Sequence, residues 1–253
     1  MKIGAQLYTV REYTKDLESF VKTLKRIKEI GYNYVQVSGT CSYDPNWLKK
    51  QLDEIGLKCP LTHFNKDEIF NNPEKVALDH KIYDCDNIGI GYTAIFKEED
   101  YHTFVKNIKV PAKVIKEKGS KLMVHNHDFE FTTIFDNKNI FEHLDEDFSS
   151  DELGFILDVY WAKYAGVDPV DVIKRYKDRL SCVHLKDLVI LDDGSKRYGA
   201  IGEGILDFKK ILKALEDIGC KYAFVEQDDC YGLDPFECLK RSHDYLVSIG
   251  AEF

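Results

Sequence analysis

Short apolar segments alternate with longer amphipathic segments along the whole chain. Residues 2–9 (KIGAQLYT), 34–37 (YVQV) and 121–125 (KLMVH) have the apolar character that predicts buried strands. Between such runs, apolar residues recur at helical spacing, for example in residues 17–27. One strand and one helix recur about every 25 to 30 residues, which is the size of a βα unit in an eight-fold barrel. The pattern therefore predicts a parallel sheet covered by helices.

Local signals mark the ends of the predicted helices. Asp-Pro pairs at Asp44, Asp168 and Asp234 are typical of helix starts, and glycines such as Gly31 and Gly56 follow the last apolar position of a helix. Eight strand–helix units fit into 253 residues. This length favours a closed (β/α)8 TIM barrel over a doubly wound sheet, and we expect a single domain over residues 1–253. The polar segment 189–206 is predicted to be a long loop.

Composition and charge narrow the class of protein. Apolar residues make up 44% of the chain, enough for a sizeable core, and the net charge is −9. An acidic protein is unsuited to binding a phosphate backbone, so we expect no nucleic-acid partner. No apolar run reaches the roughly 18 residues of a membrane span, and the chain begins with a strand-like segment rather than a secretory signal. The seven scattered cysteines indicate reduced thiols, and together these features predict a cytoplasmic protein without a membrane partner.

Polar residues follow four successive predicted strands at their carboxyl ends, where barrels carry their active sites. The fifth strand runs into HNHDFE (125–130), and the next three end at Asp158, His184 and Glu226. Because neighbouring parallel strands lie about 4.8 Å apart, these side chains can converge on one cation. The alternative is that Asp158 and Glu226 cap helices and that His184 is a hydrogen-bonded core residue.

Carboxylates and an imidazole together favour Mn²⁺, Mg²⁺, Co²⁺ or Zn²⁺ as the ligand. Clustered carboxylates repel one another when they are not neutralised, and a divalent cation removes that repulsion. The sequence therefore predicts one divalent metal ion at the carboxyl end of the barrel.

Several motifs together resemble the sugar phosphate isomerase/epimerase family, whose fold is the xylose isomerase-like barrel and which is related to endonuclease IV. The resemblance covers nearly the whole chain and is specific for the barrel and the metal site, but not for the substrate. The motifs are GAQLYTVRE (4–12), HNHDFEF (125–131), LDVYW (157–161), HLKD (184–187), GEGILDF (202–208) and FVEQD (224–228).

The resemblance implies a set of metal ligands. In that family a Glu, an Asp, a His and a second Glu from strands five to eight bind one divalent ion. Many relatives place the first Glu at the very end of strand five, where this chain has His125. Either Glu130 folds back onto the metal or His125 or His127 replaces it, and we favour Glu130. The implied ligands are Glu130, Asp158, His184 and Glu226.

Other residues are expected to contact the substrate. His63 ends the third strand, Gln36 ends the second, and Trp161 could stack on a sugar ring. We expect these three and His125 to bind substrate, although core packing is the alternative for each. Lys186 follows His184 by two residues, so strand alternation turns it to the same inward side. It could stabilise an enolate or pair with Glu226.

The resemblance implies a metal-dependent isomerase or epimerase of a sugar or sugar phosphate. Proton transfer next to a carbonyl would pass through an enediolate, with Glu226 and either Glu130 or His127 exchanging protons. The alternative is a lyase or dehydratase acting on a keto-sugar, an inosose or a 3-keto-glycoside. A DNA-repair endonuclease and a non-catalytic sugar-binding protein are further alternatives, disfavoured by the acidic charge and by the intact ligand set. Relatives often dimerise or tetramerise, which implies a homo-oligomer.

Overall fold

Eight parallel strands close into a barrel in the computed structural model of the protein. The structure describes residues 1–253, except for the side chain of residue 133. The predicted fold class is therefore confirmed. The barrel strands are β1 (Lys2–Gln6), β2 (Tyr34–Val37), β3 (Lys58–His63), β4 (Asn87–Ile90), β5 (Lys121–His125), β8 (Leu153–Asp158), β9 (Cys182–Leu185) and β12 (Tyr222–Val225).

Helices connect the strands and cover the outside of the barrel. They are α1 (Leu17–Ile30), α2 (Pro45–Ile55), α3 (Lys66–Asn71), α4 (Pro73–Ile82), α5 (Glu98–Glu117), α6 (Ile140–Asp147), α7 (Val159–Tyr164), α8 (Pro169–Arg175), α9 (Phe208–Asp217) and α10 (Pro235–Ser248). Short 3-10 helices span Leu7–Tyr13 and Phe129–Phe131. Asp44, Asp168 and Asp234 cap helices as the sequence predicts, each accepting hydrogen bonds from the first turn while proline occupies the first helical position.

Two small antiparallel hairpins project from the carboxyl end of the barrel. Strands β6 (Thr133–Phe135) and β7 (Lys138–Asn139) form one, and β10 (Asp187–Ile190) and β11 (Lys196–Gly199) form the other. The second hairpin corrects the prediction of a long loop over 189–206, because part of that segment forms strands. The carboxylate of Asp187 stabilises this region, because it accepts hydrogen bonds from the backbone N–H groups of Gly202, Gly204 and Leu206.

A layer of apolar side chains fills the barrel interior directly beneath the polar end. Successive inward side chains on a strand are two residues apart, so each of these residues precedes a polar residue at the strand end. The layer consists of Leu61, Met123, Ile156, Cys182 and Phe224. The polar residues that follow them by two positions are His63, His125, Asp158, His184 and Glu226. The apolar layer thus forms the floor of the polar end.

Strand β4 contributes no side chain to either layer, because glycines stand at the inward positions, Gly89 within the strand and Gly91 directly after it. A Cβ atom on Gly89 would lie 2.5 Å from the Thr62 carbonyl oxygen and 2.9 Å from the His63 ring. One on Gly91 would lie 2.7 Å from His63 Nδ1. The glycines therefore make the space in which the His63 imidazole lies.

Within the described part of the chain, none of the helices is both long enough and apolar enough to span a membrane.

Shortening Ile156 tests the role of the apolar floor. Because Ile156 is fully buried, we expect Ile156→Ala to lower the free energy of unfolding by about 2–5 kcal/mol. Ile156→Val removes only one methylene and should lower it by about 0.5–1.5 kcal/mol. Urea denaturation of the three proteins measures the difference. Equal stability of the alanine and valine variants would show that the layer tolerates a cavity and does not act as a packed floor.

Candidate functional site

Four buried side chains from four neighbouring strands converge at the carboxyl end of the barrel. Asp158 and His184 are paired in register between β8 and β9, and His125 and Glu226 extend from the strands on either side. His184 Nδ1 lies 2.9 Å from Glu226 Oε2 and 3.9 Å from Asp158 Oδ2. His125 Nε2 lies 3.5 Å from Asp158 Oδ2. We call these four residues the cluster.

The donor atoms of the cluster have the chemistry of a metal site. One atom from each residue lies within 4.8 Å of every other. Across the described residues, Asp158 Oδ2, His184 Nδ1, Glu226 Oε2 and His125 Nε2 are buried and make no hydrogen bond, although ionic contacts join them to one another and to Lys186. Buried polar atoms without partners are rare in proteins. Two carboxylates and two imidazoles therefore fit a divalent metal ion, which would give these atoms a common partner.

Three side-chain amides hold the cluster residues in place. Gln6 Nε2 donates to Glu226 Oε1 at 3.0 Å, and His184 Nε2 donates to Gln36 Oε1 at 2.7 Å. Asn126 Oδ1 accepts the backbone N–H of Asp158 at 2.9 Å. Because the amide oxygen of Gln36 can only accept, the His184 proton lies on Nε2 and Nδ1 presents its lone pair to the cluster.

Lys186 contacts both carboxylates of the cluster. Its Nζ atom lies 2.9 Å from Asp158 Oδ2 and 3.1 Å from Glu226 Oε2. Both carboxylate oxygens of Asp228 lie 3.0 Å from the same nitrogen. Burial opposes the charge of Lys186, but the three surrounding carboxylates hold its pKa well above the ordinary lysine value, so the side chain is an ammonium. Burial also raises the pKa of Glu226, yet the Lys186 ammonium holds it well below the usual range.

Two further imidazoles, those of His63 and His127, adjoin the cluster, and like His125 they are neutral. Burial lowers the pKa of His63 to about 3 and that of His125 well below the ordinary value, and the Lys186 ammonium acts on His63 in the same direction. Burial also lowers the pKa of His127. The His125 ring centroid lies 5.0 Å from that of His63, 5.0 Å from that of His127 and 4.7 Å from that of His184.

The structure does not bring Glu130 to the cluster, which corrects the sequence-based expectation. Glu130 lies on the 3-10 turn after β5, and both of its carboxylate oxygens are used there. Oε1 accepts the Thr93 hydroxyl at 2.7 Å, and Oε2 accepts the backbone N–H of His127 at 2.7 Å. Burial raises the pKa of Glu130 to about 7. His125 takes the strand-five position in the cluster, and Glu130 instead holds the segment that carries His127.

A cavity of about 600 Å³ opens above the cluster. His63, His125 and His127 line its wall, together with Lys186 and Glu226. Among the residues that the structure describes, neither Gln36 nor Trp161 lines this cavity, although we expected both to contact substrate. Gln36 is fully buried behind His184, and Trp161 packs with its ring centroid 5.4 Å from that of His127.

Sequence reasoning missed several residues that support the site. Asp228 follows Glu226 by two residues, so the same alternation that identified Lys186 could have identified it. Asn126 accepts the backbone N–H of Asp158 and so joins the end of β5 to β8. No local sequence pattern predicts this contact.

Comparisons with known proteins agree with this architecture. An inosose dehydratase of Clostridium perfringens is 30% identical over 169 residues, which are 60% of this chain and 56% of that protein. The chain thus matches little more than half the length of this curated relative. An inosose dehydratase of Geobacillus kaustophilus is 22% identical over 92% of this chain and 87% of its own length.

Solved structures show the same fold. A sugar phosphate isomerase/epimerase from Parabacteroides distasonis superposes with a TM-score of 0.81 at 23% identity, covering 97% of this chain and 93% of the other. The IolI protein, whose structure holds a zinc atom, has a TM-score of 0.71 at 16% identity and covers 98% of both chains. The sequence model of the xylose isomerase-like TIM barrel family matches residues 24–247. The chain therefore belongs to the xylose isomerase-like TIM barrel family.

Proposed function

We propose that this protein is a divalent-metal-dependent lyase that removes water from a small polyhydroxylated ketone of the keto-sugar or inosose class. The observation that carries the proposal is the presence of two different groups in one cavity. Neutral imidazoles, which can exchange a proton, line the cavity together with the Lys186 ammonium, which lies beside the cluster. The relatives named inosose dehydratase support the same reaction class.

His125, Asp158, His184 and Glu226 are the proposed ligands of the ion. The absence of hydrogen bonds to their buried donor atoms, among the described residues, and the short separations of these atoms support this set. A divalent ion at this position supplies Lewis-acid polarisation of a substrate carbonyl and its neighbouring hydroxyl. The amides of Gln6, Gln36 and Asn126 keep the ligands oriented without adding charge.

His127 is the proposed acid–base residue. It lines the cavity, and its neutral ring can accept the proton from the carbon next to the carbonyl. The electron pair of the broken C–H bond moves toward the carbonyl oxygen. The Lys186 ammonium lies in the same cavity wall and stabilises the negative charge that develops there.

The second half of the reaction returns the proton. The electron pair comes back from the carbonyl oxygen to form a carbon–carbon double bond, and the carbon–oxygen bond of the β-hydroxyl breaks. The imidazolium of His127 donates its proton to the departing oxygen. The products are one water molecule and an α,β-unsaturated ketone, and His127 is neutral again. Glu130 positions His127 by accepting its backbone N–H group.

An isomerase or epimerase is the second candidate function, favoured by the fold of the Parabacteroides distasonis neighbour. Epimerisation requires a proton donor and a proton acceptor on opposite faces of one carbon. The sequence analysis assigned these roles to Glu226 and to Glu130 or a histidine. Because Glu130 is turned away and both of its oxygens are paired, the carboxylate pair is not assembled, and elimination agrees better with the remaining groups.

The assignment of His125 rather than Glu130 as a metal ligand can be tested by metal content. We expect the wild-type protein loaded with Mn²⁺ to retain about one ion per chain after dialysis. His125→Ala removes a ligand, so its affinity should fall by at least the roughly 10–100-fold typical of losing a supporting residue. Glu130→Gln keeps the shape of a side chain outside the cluster and should retain the ion. Elemental analysis after dialysis measures both, and retention in His125→Ala with loss in Glu130→Gln would reverse the assignment.

The reaction class can be tested with Mn²⁺-loaded protein and a panel of ketoses, inososes and 3-keto-glycosides in D₂O, followed by NMR. We expect an inosose or keto-sugar to lose its α-proton and its β-hydroxyl and to form an unsaturated ketone or its diketone tautomer. Solvent deuterium appearing in an epimerised or isomerised product, without loss of water, would identify the second candidate instead.

The role of His127 can be tested on the substrate that reacts in this panel. His127→Asn should lower kcat by about 10²–10⁴-fold, because the acid–base group is lost while the ligands remain. His102→Asn changes an exposed histidine on α5 and is the matched control, which should leave kcat unchanged. A His127→Asn variant with normal kcat would rule out this residue as the acid–base group.

A further inference from the structure

We propose that Asp228 raises the affinity of the cluster for a divalent ion by giving the Lys186 ammonium a partner other than the ligand oxygens. This inference rests on the metal site of the proposed function, but not on its reaction or substrate. It concerns a residue outside the cluster, so a positioning role rather than a ligand role is inferred.

The ammonium of Lys186 and a metal ion would share the same ligand atoms. Asp158 Oδ2 and Glu226 Oε2, which lie 2.9 and 3.1 Å from Lys186 Nζ, are both among the proposed ligand atoms and make no hydrogen bond. Two cations that approach the same two oxygens repel each other, and in a buried site that repulsion is poorly screened. Lys186 is 1% exposed, so its charge cannot move out into solvent without rearrangement.

Asp228 gives the ammonium a separate partner. Both of its carboxylate oxygens lie 3.0 Å from Lys186 Nζ, and neither belongs to the cluster. Arg11 fixes the backbone of Asp228, because its guanidinium donates to the Asp228 carbonyl oxygen at 3.0 Å. The neighbouring Gln227 backbone N–H is held by the Thr9 hydroxyl at 2.9 Å. These two hydrogen bonds therefore hold the segment that carries the Asp228 carboxylate in position beside Lys186.

The charges of these residues balance only when the ion and Asp228 are both present. Asp158, Glu226 and Asp228 carry three negative charges, and Lys186 carries one positive charge, which leaves −2. A divalent ion brings the sum to zero, since the imidazoles of His125 and His184 act as neutral ligands. Without Asp228 the same site would carry +1 on binding the ion. Asp228 thus matches the site to a doubly charged ion.

The alternative is that Asp228 and Lys186 form an ion pair that only stabilises the fold. The two roles predict different measurements. A purely structural pair would alter the unfolding temperature of the metal-free protein and leave the ion affinity of the folded protein unchanged.

A double-mutant cycle separates these roles. Mn²⁺ affinity is measured by isothermal titration calorimetry at one ionic strength for the wild type, Asp228→Asn, Lys186→Met and the double variant, after removal of metal with a chelator. We expect Asp228→Asn to weaken Mn²⁺ binding on the order of tenfold, as for loss of an outer-shell partner. Lys186→Met should strengthen binding, and the double variant should bind about as tightly as Lys186→Met, because Asp228 acts through Lys186.

Asp192→Asn is the matched control. Asp192 is exposed on the β10–β11 hairpin, and its substitution changes the net charge by the same amount. We expect its Mn²⁺ affinity to equal that of the wild type. Thermal unfolding of each variant in chelator confirms that the compared proteins are folded at the titration temperature.

Specific results would overturn the proposal. Equal affinities for Asp228→Asn and Asp192→Asn would do so, as would weaker binding by Lys186→Met than by the wild type. A wild-type protein that takes up no Mn²⁺ would overturn the metal site of the proposed function as well. The expected cycle together with no turnover in the ketone panel would leave this inference standing and reject only the proposed reaction.

Discussion

The arrangement of the site depends on the burial of two carboxylates close to each other. Asp158 and Glu226 are almost completely buried, and both approach the same lysine nitrogen and the same pair of imidazoles. Removing an ionised carboxylate from water is unfavourable unless charged and hydrogen-bonding partners replace the water. Lys186, the amide of Gln6 and the backbone N–H groups of residues 160 and 161 provide part of that compensation. A divalent ion would provide the rest.

The barrel supplies the rigidity that such a charged group requires. Side chains alternate along each strand, so His63 and each residue of the cluster stand two positions beyond a packed apolar residue of the floor. The glycines of β4 leave room for His63, and amides from β1, β2 and the end of β5 hold Glu226, His184 and Asp158. Metal ligands are oriented in this way by residues that never touch the ion. Packing and electrostatics therefore act on the same side chains.

Much of this arrangement could be predicted from the sequence because it depends on periodicity. The strand–helix alternation predicts the barrel, and the strand ends predict where Asp158, His184 and Glu226 lie. The position of Glu130 could not be predicted in this way, because it depends on a 3-10 turn and on a contact with Thr93, which is 37 residues distant in sequence. The β10–β11 hairpin could not be predicted from periodicity, because each of its strands has only four residues and its anchor, Asp187, binds backbone groups rather than side chains. Contacts between residues far apart in the sequence produce no periodic pattern from which they could be predicted.

We propose above that the ends of four barrel strands share one divalent ion through His125, Asp158, His184 and Glu226. Crystals grown with Co²⁺ and measured at the cobalt absorption edge test it most directly, because anomalous scattering locates the ion independently of the protein atoms. We expect a single anomalous peak within bonding distance of His125 Nε2, Asp158 Oδ2, His184 Nδ1 and Glu226 Oε2. Glu130 should still accept its hydrogen bond from Thr93. A peak bonded to Glu130, or the absence of any peak between these four residues, would contradict it.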